Sequence, residues 1–408
     1  MTDTTPAAAP RLTLYLAVIA VALGLAAGAI AAAAYVLMID LQGLIWPDET
    51  PRWMILPMTL AGGVLIGITA LMGARLAVED EIAQVHDPKP RHGLQALWMT
   101  LGSIVAVAFA GALGPEGGII ALVSALSTMI ALKLGREASE RQAIAEAGLA
   151  GGLAGFYGSP LAGPVQAEAP GTAPRITHYL AGFAGVLAFI WTAEFLREGA
   201  LSVMYLPRFN AEPQTYDGLI AIVPGIAGAL GGLLFIWLRL RLTEAYAARL
   251  PNVFLQPVLG GLVLGLVGTA APILLFSGHN EIGEALALGQ EDGPLILIVL
   301  GLAKAALCAV CLGSRWLGGP IFPLCFTGAA LGGAMLYVVP GLDPLIGVAA
   351  GMTGASTVGL KKPLLAGAVM IFVIGDGLLL PIFVGAIAGW IVLNRLPDKL
   401  TEGGGFAH

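Results

Sequence analysis

The chain reads as an all-α integral membrane protein built from two related halves, in which many helices are tilted, broken or re-entrant. Three observations predict this. Of its 408 residues, 57% are hydrophobic and 11% charged, with a mean hydropathy of +0.87, where a soluble domain carries roughly 25% charge. Runs free of Asp, Glu, Lys and Arg recur along the chain with uneven lengths. A Gly-Pro pair that opens an apolar segment at 114–115 has a counterpart 205 residues later, at 319–320. The same composition excludes a disordered chain, a collagen-like repeat and a disulfide-stapled secreted fold. A net charge of −6 leaves no basic face for nucleic acid.

Taken in order, the first run follows Arg11 and spans 27 residues, Thr13 to Ile39. The apolar core of a cleavable signal peptide is shorter, so this segment is a retained helix. Trp53–Ala74, Gly93–Pro115, Ala147–Ala167, Gly218–Leu238, Leu250–Gly278 and Trp316–Leu342 are further runs. They meet the ~20 residues that a perpendicular helix needs. The stretches 117–132, 344–360 and 377–394 are near or below that length. Such unevenness predicts broken helices, which are tolerated only where protein or a water-filled cavity covers the opened backbone. Short tails, 1–12 and 397–408, flank halves at 13–217 and 218–396.

Charge between the runs sets orientation. Arg75, Lys89 and Arg91, then Lys133, Arg136 and Arg141, then Arg239, Arg241 and Arg249 mark three basic segments. By contrast, 278–293 holds Glu281, Glu284, Glu291 and Asp292 with no Lys or Arg. The positive-inside rule places the basic segments and both termini in the cytoplasm and 278–293 outside. A multi-pass protein of the cell membrane is expected, with the lipid bilayer as its solvent.

The two Gly-Pro starts carry the chemistry. Gly114-Pro115-Glu116-Gly117-Gly118 and Gly319-Pro320-Ile321-Phe322-Pro323 are each followed by a Pro-Leu dipeptide, at 160 and 363. The offsets are 205 and 203 residues, which reads as a duplication of the kind common in transporters. Proline suits the first helical position, and the amides after it have no intrahelical acceptor. Those donors belong to Glu116, Gly117 and Gly118 on one side and to Ile321 and Phe322 on the other. Glycine at 117 and 118 would let a ligand approach the backbone. With the helix dipole, each start is an anion site built from partial charges, which permits exit as well as entry.

Glu116 is the single acidic residue between Gly93 and Lys133. An ionisable group inside the membrane is functional by default because its burial is costly; the plainer alternative is a Glu that merely complements the helix dipole. Its ionised side chain can occupy the anion's place and leave on protonation, which makes a pH-dependent gate.

Other candidates are weaker. Cys308, Cys311 and Cys325 read as packing residues, and the five scattered histidines suggest no metal or cofactor. Lys304 interrupts an apolar run and either attracts anions or snorkels. Arg315 and Trp316 read as anchors at the cytoplasmic surface. Asp40 is expected in an exposed loop. Ser159, between Gly158 and Pro160, is the one serine that suggests an intramembrane hydrolase, but neither His178 nor His279 stands at a partner spacing. A transporter of another solute is the second rival; a cation carrier would want more carboxylates than Glu116 and Glu168.

At these residues the sequence resembles the chloride channel (ClC) family of anion channels and chloride/proton exchangers. Gly114–Gly118 looks like the family's G-x-E-G-P gate motif, Pro160-Leu161-Ala162-Gly163 like its P-L-A-G helix start, and Gly319–Pro323 like its G-x-F-x-P anion motif. The likeness covers roughly 90 to 395, about 80% of the chain. It implies an inverted repeat, a homodimer with a pore in each subunit, chloride or a related small anion as substrate, and protons as a candidate second one. Glu116 then corresponds to the gating glutamate, with Gly114, Pro115, Gly117 and Gly118 around it. Gly319, Pro320, Ile321 and Phe322 form the second part of the anion site. The sequence also departs from the pattern. No G-x-G-x-P stands in 75–92, so the serine hydroxyl of the family's central site is missing. A final helix with the pore tyrosine is not expected after the last apolar run. The family's inner proton-transfer glutamate falls near Ala169 and Pro170, which leaves neighbouring Glu168 as the candidate on a proton route, on a different helical face.

Overall fold

Thr13 starts the first helix. Its Oγ1 accepts the Leu16 N–H at 3.2 Å, and 32 apolar-rich residues follow. The structure is a computed structural model and describes residues 13–47, 50–74, 78–89, 94–167, 175–203, 217–397 and 400. Among them the first half holds α1 (Leu14–Ile45), α2 (Arg52–Met72), α3 (Val78–His86), α4 (Gln95–Ala108), α5 (Glu116–Leu134), α6 (Ala138–Tyr157), α7 (Ala162–Ala167) and α8 (Ile176–Leu196). The second holds α9 (Asp217–Ile220), α10 (Ile222–Arg249), α11 (Leu255–Ala270), α12 (Ile282–Asp292), α13 (Pro294–Gly313), α14 (Ile321–Ala334), α15 (Pro344–Leu360), α16 (Pro363–Ile374) and α17 (Leu379–Leu393). At 1.5 Å per residue α1 is about 48 Å long, well beyond a ~30 Å hydrocarbon core, so it must tilt, bend or project from it. The 14 residues of α14 reach only about 21 Å, so it cannot cross.

Several runs are broken where the backbone turns. Gly158, left-handed at φ 61°, ends α6 before the Pro160 turn into α7, which splits the expected run 147–167. Buried Ala110 adopts φ 64° after α4, and its carbonyl accepts the Phe276 N–H at 3.2 Å. The expected runs pass over α8, 18 uncharged residues between Arg175 and Glu194, and α13, which Lys304 interrupts. Asp40 lies within α1 rather than in a loop and pairs with Arg197 at 2.7 Å.

Packing repeats between the halves. α5 meets α4 and α6 as α14 meets α13 and α15. α1 meets α6 and α8 as α10 meets α15 and α17, and α3 meets α5 as α12 meets α14. Small residues make the close contacts, as in other helix pairs in lipid: Gly24 of α1 lies against the backbone of Ala181 on α8, and Gly351 of α15 against Gly328 on α14. Across the halves, α2 packs on α11 and α7 on α16. Apolar side chains remain exposed at four-residue spacing on α8 (Phe183, Leu187, Trp191, Phe195), where lipid or another membrane surface must cover them.

Candidate functional site

The segments leading into α5 and α14 cross. Gly114 donates its N–H to the Gly319 carbonyl at 2.8 Å and Gly319 returns one to Gly114 at 2.9 Å, an isolated antiparallel bridge. Pro115 (φ −73°, ψ −3°) and Pro320 (φ −92°, ψ −4°) follow with nearly the same backbone. Each proline is the N-cap and not the first helical residue as expected, because the regular hydrogen-bonded turn starts one position later, at Glu116 and Ile321. The two helix starts thus come together from opposite halves. The opening amides of a helix lack intrahelical acceptors: those of 116–118 on α5, and of 321 and 322 on α14, since Pro323 has none.

Between them lies the Glu116 side chain, 2% exposed. Its carboxylate folds back over the bridge. A Cβ at Gly114 would sit 2.6 Å from its Cδ and one at Gly319 2.5 Å from the same atom, so both glycines make the room it occupies. The peptide N–H groups of 116, 321 and 322 are the polar groups towards it, yet neither oxygen closes a hydrogen bond. A buried carboxylate so placed is costly, and it stands where a free anion would meet the same donors. Gly117 and Gly118 also have a packing role. A Cβ at Gly117 would meet the Gly318 Cα at 2.8 Å, and one at Gly118 would meet Ser103 Cβ at 2.7 Å. Protein atoms fill the space their missing side chains leave, and their N–H groups open α5.

Aromatic rings enclose the α14 start. The Phe322 ring lies 5.8 Å from Phe156 at 87° and 4.9 Å from the His279 imidazole. Beyond Pro115 opens a cavity of about 60 Å³, lined by Leu113, Gln42 of α1 and the loop Phe276–Glu281. Lys304 holds that loop. Fully buried, its Nζ donates to the carbonyls of Leu274 (3.0 Å), Leu275 (2.9 Å) and Phe276 (2.8 Å), so it does not snorkel. Ser159 is a clasp: it donates to the Ala368 carbonyl of α16 at 2.8 Å and accepts the Ala162 N–H at 3.1 Å. A hydroxyl proton committed to a carbonyl is poorly placed for a nucleophile.

Trp316 is no surface anchor; it is 1% exposed and donates Nε1–H to the Pro257 carbonyl at 2.9 Å. Arg315 binds Gln256 Oε1 at 2.7 Å. The three cysteines are free and buried. Glu168 lies outside the described residues. A second buried polar cluster escaped the sequence reading: Glu146 of α6 accepts from Arg175 Nη1 at 2.9 Å and Gln142 Nε2 at 2.8 Å, with His178 Nε2 at 3.2 Å. Glu146 stood at the edge of a charge-free run and looked like a boundary, while its partners Arg175 and His178 open α8 about 30 residues later.

A sequence profile for the family described as voltage gated chloride channel matches residues 77–394. "Putative ion-transport protein YfeO" from Escherichia coli O7:K1 (strain IAI39 / ExPEC) is 26% identical over 417 residues, covering 96% of each chain. Among solved structures, a slow cyanobacterial Cl−/H+ antiporter superposes with a TM-score of 0.80 at 18% identity, over 96% of this chain and 97% of that one. A CLC-type fluoride/proton antiporter gives 0.74 at 17% identity, over 96% and 99%. A eukaryotic CLC transporter gives 0.70 at 19%, over 95% and 73%. These likenesses show the fold.

Proposed function

The chain belongs to the voltage-gated chloride channel family, a multi-pass membrane family of anion transport, and we propose that it moves chloride or a related small anion past a glutamate gate at the α5 and α14 starts. The observation that carries this reading is the Glu116 carboxylate lying on the Gly114–Gly319 bridge with the 321 and 322 amides towards it. Partial charges attract an anion without trapping it, and the ionised carboxylate competes for the same donors. Protonation removes that competition, so flux should rise as pH falls. The reading includes an inverted repeat of 13–217 and 218–396, supported by the matched packing of the halves. It also includes a homodimer with a pore in each subunit, and the exposed apolar stripe on α8 offers one surface for contact.

Chloride efflux from proteoliposomes between pH 5 and 8 tests the gate. Wild-type flux should increase towards acid, and Glu116→Gln should be more active at pH 8 with a shallower profile. Identical profiles for the two proteins would remove Glu116 from the gate. No efflux from either would remove the transport reading for this anion.

A further inference from the structure

The cavity beyond Pro115 has polar groups that the gate does not use. Its volume, about 60 Å³, is several times the ~10–15 Å³ that one water requires. Leu113 and Pro115 form its floor, immediately before Glu116. Ser277, His279, Asn280 and Gln42 bring hydroxyl, imidazole and amide groups to its wall. The His279 ring connects this cavity to the α14 start. It packs on Phe322 at 4.9 Å, and its Nδ1 lies 2.6 Å from Ser277 Oγ. Histidine is the side chain whose ordinary charge change falls between pH 5 and 8.

The charges around the cavity are mixed: Glu281 lines it, and Lys304 lies beneath the loop that forms its wall. Under the loop, the Lys304 ammonium engages the carbonyls of Leu274, Leu275 and Phe276. That leaves those three oxygens already serving a cation within the protein. Opposing it is Glu281, on the cavity wall, whose carboxyl burial pushes above its ordinary range while Lys304 pulls it back. The other titratable groups nearby are Tyr35 of α1, which lines the cavity, Glu284 one turn beyond Glu281, and Glu116, next in sequence to the lining Pro115.

We propose that this cavity is a second anion site, outside the Glu116 gate, where the His279 imidazolium, with Ser277 and Asn280 as neutral donors, holds an incoming small inorganic anion before it reaches the 321 and 322 amides. This rests on the reading of Glu116 and the helix starts as the transport site. Its consequence is a pH dependence of anion capture that belongs to His279 and not to Glu116.

Bromide titration by calorimetry in detergent at pH 5.5 and 8, alongside chloride efflux at the same symmetric pH values, separates the two groups. In Glu116→Gln the gate is permanently uncharged. That variant should still bind bromide about fivefold more tightly at pH 5.5 than at pH 8, the scale of one partly screened ion pair. Adding His279→Gln should abolish the difference, whereas adding His279→Arg should keep the tighter binding at both pH values. Folding is controlled by the arginine variant, whose retained binding excludes simple loss of structure. A Glu116→Gln protein with pH-independent affinity, or a His279→Gln double variant that keeps the dependence, overturns the proposal and leaves the gate standing. The reverse pattern, in which Glu116→Gln leaves the efflux profile unchanged and His279→Gln alone flattens it, removes the gate and leaves the outer site.

Discussion

Gly114 and Gly319 do at the residue scale what no other side chain could. Each would place its Cβ against the Glu116 carboxylate, and the three atoms nearest either Cβ all belong to Glu116. That makes substitution here unusual among glycines of this protein. Gly117 meets the backbone of Gly318, so an added methyl must disturb the fold, whereas at Gly114 the three nearest atoms all belong to the end of one flexible side chain. Neither Gly114 nor Gly319 has a positive φ, so alanine fits the backbone. Gly114→Ala should therefore displace the carboxylate while leaving the helix start intact. Its proteoliposome flux at pH 8 should approach that of Glu116→Gln, with melting behaviour in detergent close to wild type. Wild-type flux at pH 8 in a folded Gly114→Ala protein would show that the carboxylate has another resting place and does not gate from the bridge.

Helices and loops set the next scale, and here Lys304 is the informative element contact. A charge in the middle of α13 would be expensive were it not for three carbonyls turned onto it at 2.8–3.0 Å. Lys304→Met keeps the shape but leaves those carbonyls without their donor; each buried orphan costs about 1–3 kcal/mol, offset in part by the ammonium that no longer needs burying. A net loss of about 2–4 kcal/mol is expected, read as a lower apparent melting midpoint in detergent, with weaker bromide binding because the loop carrying Ser277 and His279 loosens. An unchanged midpoint would mean the loop holds without its clasp. Why Lys304 was ambiguous in the sequence is physical: its partners lie about 30 residues away in a loop with no sequence signature of its own. The helix starts were legible because Gly, Pro and the amides that follow act locally, within four residues. The packing at Gly117 and Gly118 was not, because their neighbours, Gly318 and Ser103, come from other segments. Glu146 failed for the same reason, its partners opening α8 far along the chain.

Across the whole molecule the site exists only because two halves interlock. The Gly114–Gly319 bridge, the Ser159–Ala368 hydrogen bond and the α2–α11 pair all join one half to the other. Neither half alone brings the α5 and α14 amides together. Charge is divided just as clearly: Lys133, Arg136 and Arg141 gather where α5 ends and α6 begins, while Glu281, Glu284, Glu291 and Asp292 surround α12. By the positive-inside rule we propose that the molecule sits with its His279 cavity outward. Native cysteines help the test, since Cys308, Cys311 and Cys325 are all 0% exposed and should stay silent towards a bulky reagent. Lys133→Cys and Glu291→Cys each place a thiol on an exposed position. A membrane-impermeant maleimide applied to intact spheroplasts should label Cys at 291 strongly and at 133 only after permeabilisation, with the wild-type protein unlabelled throughout. The opposite pattern would invert the protein, put the Glu116 gate and its cavity on the cytoplasmic side, and require the pH that governs flux to be the internal one.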